Sequence, residues 1–139
     1  MMNKPHGEVT TRDDPAGRAT VFDCLKPQDI PFISPVGRLD KASEGLLLFT
    51  NDTVLAQRLL DPITNVPKIY HVQVRGEIGT PELEQMIFGS PSDGELLRAT
   101  SVHLLRRGSK NAWIEVELRE GRYRQIRRML EGIGLDCLR

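Results

Sequence analysis

The stretch GRLDKASEGLLLFTND (37–52) places an arginine and a carboxylate, Arg38 and Asp40, on turn-forming residues just before an apolar run. An isolated Arg-x-Asp is most often an exposed pair of little energetic weight, and either Arg38 or Lys41 could be the partner. Next to a run that must be buried, however, a carboxylate is partly desolvated and needs a cation. A carboxylate held in that way is a candidate nucleophile or general base. From this stretch alone, both readings of Asp40 stand.

A cation is available further along. Arg119, Arg122, Arg124, Arg127 and Arg128 lie within ten residues, opposed inside that window only by Glu120. On a helical wheel with Ile126 at zero, the apolar residues span roughly −60° to +40°. Arg127 falls at about 100°, on the border of that stripe, whereas Arg124 and Arg128 fall near 160° and 200°, on the opposite side. Arg127 can therefore lean into the protein, while Arg124 and Arg128 are expected to face outward, where they suit phosphates. A solvated basic face would account for the outward pair but not for the border position of Arg127.

Tyr70 is the third candidate. It shares a strand face with Val72 and Val74, so it is either a core tyrosine or an aromatic platform for an unstacked base. His6, His71 and His103 are scattered without metal-type spacing, so no metal site is expected. GSPSDG (89–94) lacks the lysine and the strand–loop–helix setting of a phosphate loop and reads as a surface turn.

The elements that must position these residues are mixed. Residues 3–20 read as a loop or extended arm. TVFDCLKP (20–27) suits one or two helical turns stopped by Pro27, and DIPFISPVGRLD (29–40) is extended because of Pro31 and Pro35. GLLLFT (45–50) suits a short strand buried on both faces. Asn51 or Asp52 caps a helix to about Leu60, with Leu55 and Leu59 on one face. KIYHVQVRGE (68–77) alternates as a strand. TPELEQMIF (80–88) starts a helix with Thr80 as N-cap and Pro81 at the first position. RATSVHLLRR (98–107) and AWIEVELRE (112–120) form a hairpin across GSKN, with Ile114, Val116 and Leu118 facing inward. In YRQIRRMLEGIG, Ile126, Met129, Leu130 and Ile133 make one apolar stripe, and Gly134 ends the helix. The order gives an α+β class.

A chain of 139 residues fits one domain, or most of one. Its formal net charge is zero, which argues against nucleic-acid binding through bulk charge, although charge is segregated near the C-terminus. Cys24 and Cys137 are far apart and read as reduced thiols of a cytoplasmic protein. No signal peptide and no run long enough to span a membrane is present.

Four stretches, NKPHG (3–7), VGRLDKASEGLLLFTND (36–52), KIYHVQV (68–74) and EGRYRQIRRML (120–130), resemble, in order, the successive motifs of the RNA pseudouridine synthases. The similarity is to the branch that modifies ribosomal RNA, which includes the small-subunit uridine-516 synthase type. It implies a central mixed, mainly antiparallel sheet flanked by helices, with the cleft across it. It also implies isomerisation of a specific uridine to pseudouridine without cofactor or metal. In that family the aspartate of the Arg-Leu-Asp motif, here Asp40, is catalytic. The arginine, here Arg38, is implicated in filling the gap left by the flipped nucleotide. The tyrosine, here Tyr70, stacks on the target base, and the basic residue after Gln-Ile, here Arg127, pairs with the aspartate.

The RNA-facing set expected from the resemblance and the basic segment is Arg38, Lys4, Arg122, Arg124 and Arg128. Lys4 belongs to the first motif, which has no agreed chemical role. The expected partner is ribosomal RNA, 23S or 16S, with no membrane involved, and the protein is expected to act as a monomer. Relatives often carry an N-terminal RNA-binding module of S4 fold and continue beyond GLDCLR, so residues 1–139 are expected to be a catalytic domain shortened at both ends. A non-catalytic RNA-binding or ribosome-assembly domain on the same scaffold is the alternative, and the joint presence of Asp40, Tyr70 and Arg127 argues against it. A glycoside hydrolase built on Asp40 lacks an evident second carboxylate.

Overall fold

The computed structural model describes residues 1–25 and 31–139. They divide into two compact units, Met1–Thr64 and Asn65–Arg139.

The first unit is built from short strands. β1 (Met2–Lys4) pairs antiparallel with β3 (Gly45–Leu47), and β2 (Ser34–Pro35) pairs antiparallel with β4 (Phe49–Thr50). The apolar run 45–50 is thus not one strand buried on both faces. Leu47 is buried while its neighbour Leu46 is 67% exposed. The reason is that β3 has a covered face and an open one, so side chains alternate along it. Helix α1 (Thr53–Leu60) starts where Asp52 Oδ1 accepts from the Val54 and Leu55 amides at 2.9 and 3.0 Å, satisfying two of the helix's orphan donors. None of its residues is buried, so the expected Leu55/Leu59 face is only partly covered. Thr20 forms an isolated bridge with Val9 and residues 21–25 form turns; the expected end of that segment at Lys26–Pro27, and the beginning of the next at Asp29–Ile30, lie outside the described residues.

The second unit contains the main core. β5 (Lys68–Arg75), β8 (Ser101–Arg107) and β9 (Asn111–Leu118) form an antiparallel sheet in the order β5-β9-β8. Tyr70 stands opposite Val116, Val72 opposite Ile114, and Val74 opposite Ala112. The period-two alternation puts Val72, Val74, Ile114, Val116 and Leu118 on one buried face, as their spacing predicts. Residues of α2 (Thr80–Phe88) and α3 (Gln125–Gly132) pack on that face through Met86, Met129 and Leu130. Residues 136–139 run along the free edge of β5: the Gln73 amide donates to the Arg139 carbonyl at 2.8 Å, and the Leu138 amide to the Gln73 carbonyl at 2.7 Å.

Two local expectations change. Helix α2 is capped by Gly79 rather than Thr80, because the Glu82 carboxylate reaches back and accepts from the Gly79 amide at 2.9 Å. The stretch 89–94 is not a plain surface turn but belongs to a hairpin of β6 (Ser90–Ser92) and β7 (Glu95–Leu97). Asp93 and Gly94 at its tip both have positive φ, +49° and +80°. This hairpin packs on α3 through Gly132, where a Cβ would lie 2.0 Å from the Pro91 carbonyl oxygen. Among the described residues no helix is long and apolar enough to cross a membrane.

Candidate active site

In the first unit, Asp40 sits on a loop held by the N-terminal arm. The Ser43 amide donates to the Asp40 carbonyl at 2.9 Å, which closes the turn after it. The Gly7 amide donates to the Lys41 carbonyl at 2.8 Å. The Thr10 hydroxyl donates to the Leu39 carbonyl at 2.8 Å and lies 3.3 Å from the Leu39 amide, which donates back to it. Gly37, at φ +82°, turns the chain into this loop, a conformation that other residues adopt only with strain. Asp40 is half-buried, and Arg38 is exposed beside it.

Lys4 is not on the surface expected for an RNA contact. Its side chain is fully buried, and its ammonium donates to the Pro5 carbonyl at 2.9 Å and the Ser43 carbonyl at 2.7 Å. A buried cation must find such acceptors or lose its proton. Burial pulls the Lys4 ammonium below its ordinary range, and the charges of Glu8 and Asp40 oppose that shift. Lys4 therefore serves the loop from beneath.

In the second unit, Tyr70 is partly buried against the core, on the same face as Val72 and Val74. Arg127 is half-buried, and its guanidinium donates to the Cys137 carbonyl at 3.1 Å. Arg124 is exposed, but it precedes α3 in the left-handed conformation, at φ +47°, rather than lying within the helix.

Arg128 departs from its wheel position. Its side chain is only 18% exposed, and it is held by Glu95 at 2.7 Å, Asp93 at 3.4 Å and the Ser92 hydroxyl at 3.1 Å. The side of α3 that helical periodicity turns toward solvent at Arg128 is covered by the docked β6–β7 hairpin. Arg122 also reaches Glu95, and pairs with Glu120 at 3.1 Å. Glu95 is thereby held below the usual carboxylate range, first by its hydrogen bond from Arg128. The Asp-Gly pair inside SPSDGEL is the signal that would have placed this hairpin. The arm residues Gly7 and Thr10 carry no such pattern. Among the described residues, no group of histidine, cysteine or carboxylate side chains is arranged to hold a metal ion.

Comparison with known proteins bears on this arrangement. The family model described as RNA pseudouridylate synthase matches residues 1–132. The chain is similar to a protein named ribosomal large subunit pseudouridine synthase B from Haemophilus influenzae, with 40% identity over 100% of this chain and 39% of that protein. It is similar at 42% identity to an RNA pseudouridine synthase of Rickettsia bellii, over 95% of this chain and 56% of that one. A solved structure titled pseudouridylate synthase superimposes with a TM-score of 0.80 at 26% identity, covering 99% of this chain and 57% of that chain. The chain thus spans about half the length, or less, of these curated relatives.

Proposed function

Since the chain belongs to the RNA pseudouridylate synthase family, we propose that it isomerises a specific uridine of ribosomal RNA to pseudouridine, with Asp40 as the reacting carboxylate. In this reaction the N1–C1′ bond breaks, the uracil turns, and C5 bonds to C1′. C5 gives up its proton and N1 gains one, so the net composition is unchanged and a single carboxylate can suffice. Asp40 attacks C1′, or removes the C2′ proton to give a glycal. Both roles need a carboxylate fixed in place. The observation that carries the reading is the loop around Asp40, whose backbone is tied on either side by the N-terminal arm.

Residues 1–139 act in this reading as catalytic domain, in the cytoplasm and as a monomer. The target base leaves the RNA stack at a cost of a few kcal/mol. In this reading the exposed Arg38 fills the gap left by the base and Tyr70 stacks on it, offsetting that cost, while Arg127 is the cation that its motif assigns to the aspartate. Arg124 and the open side of Arg122 contact phosphates. Arg128 meets the backbone only through what its ties to the hairpin leave over. The names of relatives from several bacteria favour a large-subunit uridine as the target.

The test is pseudouridine mapping of ribosomal RNA in cells carrying the parent protein or Asp40→Asn. One site should disappear in the variant while RNA affinity in vitro is retained. Full modification by Asp40→Asn would overturn the assignment.

A further inference from the structure

Thr10 lies in the arm rather than in any of the four motifs, yet its hydroxyl makes two hydrogen bonds to one residue. It donates to the Leu39 carbonyl at 2.8 Å and accepts from the Leu39 amide at 3.3 Å. Leu39 is the residue directly before Asp40. A reciprocal pair of this kind fixes both the position and the rotation of a peptide segment, which a single bond does not. Thr10 is itself anchored. The Val9 amide donates to the Ala19 carbonyl at 3.0 Å, and the Val21 amide donates to the Val9 carbonyl at 3.0 Å. Val21 is fully buried. Next to it, both the amide and the hydroxyl of Thr20 donate to Asp23 Oδ2, at 2.7 and 3.1 Å. Hydrogen bonds joined by the chain itself at Thr20–Val21 and Val9–Thr10 thus link the turn at Thr20–Asp23 to the backbone that carries Asp40.

We propose that Thr10 is a positioning residue: through Leu39 it sets where the Asp40 carboxylate stands relative to the ribose it attacks or deprotonates. The inference rests on Asp40 being the reacting group. Threonine suits the task because its hydroxyl both donates and accepts, and because its β-branch restricts the side chain to few rotamers. Valine keeps the shape and removes both bonds.

The experiment compares the parent with Thr10→Val, Thr10→Ser and Asp40→Asn, using kcat and KM on an RNA fragment containing the target uridine, thermal melts, and amide exchange. Thr10→Val should lower kcat on the order of ten- to a hundred-fold with little change in KM. Its Leu39 amide should exchange faster while the Val21 amide stays protected. Thr10→Ser keeps the hydroxyl and should restore most of kcat. If Thr10→Val fails to fold, Thr10→Ala carries the same comparison with serine.

Parent-like kcat in Thr10→Val or Thr10→Ala would overturn the inference. So would equal losses in the serine variant and the one lacking the hydroxyl, in step with their melting temperatures. If Asp40→Asn is silent while Thr10→Val is fully active, only the positioning role fails. If Asp40→Asn is active, the catalytic reading fails first and leaves Thr10 nothing to position.

Discussion

The two units are held together by different forces. In Asn65–Arg139, thirteen buried apolar residues form one cluster, drawn from the β5-β9-β8 sheet, both helices and the segments between them. In Met1–Thr64 the buried described residues are only Val21 and Leu47, joined by Thr20 and Lys4. What fixes the Asp40 loop there is directional: an ammonium, a hydroxyl and backbone amides, each aimed at a carbonyl. Apolar packing is non-directional and tolerates small shifts, whereas a hydrogen bond is lost with a modest change of angle. The unit carrying the proposed reacting carboxylate is thus built for placement, and the other for stability. Substitutions should separate accordingly.

The largest effect is expected where packing dominates. Ile114 is fully buried at the centre of β9, and Ile114→Ala should cost about 2–5 kcal/mol in urea denaturation. A cost well below that range would mean the sheet is not the source of stability. Next is Gly132→Ala. Its Cβ would meet the Pro91 backbone oxygen at 2.0 Å, so either α3 or the β6–β7 hairpin must move. Overpacking of that kind should cost about 1–3 kcal/mol. Faster amide exchange in the hairpin would show which side yields, and a parent-like melt would mean the two elements are not in that contact.

In the first unit, removing a donor should affect activity more than stability. Lys4→Ala leaves the Ser43 and Pro5 carbonyls without their ammonium. The expected cost is about 1–3 kcal/mol, together with faster exchange at the Ser43 amide and a larger drop in pseudouridine formation than in melting temperature. If activity and stability fall in proportion, the loop is held by general folding and the contrast between the units weakens.

The same contrast explains what could be read from sequence. Strands β5 and β9 were legible because one buried face forces a period of two. The stripe of α3 was legible because Met129 and Leu130 are buried at helical spacing. The strands of the hairpin at 90–97 were not, since they are three residues long and Pro91 interrupts their alternation, which leaves the Asp93-Gly94 turn as its one signal. For the same reason the docking of Arg128 could not be foreseen: it depends on a neighbour remote in sequence. At the candidate site, Asp40, Tyr70 and Arg127 stood out through their motifs. Lys4 and Gly7 lie in the first motif and Thr10 in none, but their role as straps is not legible, because side-chain and backbone hydrogen bonds in an irregular arm leave no periodic trace. The burial of Lys4 is hidden from the sequence for an equally physical cause. Lysine is rarely fully buried, and here the Pro5 and Ser43 carbonyls that its ammonium reaches make burial tolerable.

The smallest expected effect tests whether the second unit is held by packing alone. Glu95 joins the hairpin to α3 through Arg128 at 2.7 Å and through Arg122. These partners hold its carboxyl below the ordinary value of 4.5. A group whose folded value is lowered contributes stability that is fully present above its unfolded value and is lost as pH falls through the folded one. Melting temperature should therefore decline as pH drops below about 4.5, and Glu95→Gln should flatten the part of that decline due to this residue. Because Glu95 is substantially exposed, the difference should be small and should shrink further in high salt. If the acid limb of Glu95→Gln matches that of the parent at low ionic strength, the ion pairs contribute nothing measurable, and the close contact of Gly132 with Pro91 is what docks the hairpin.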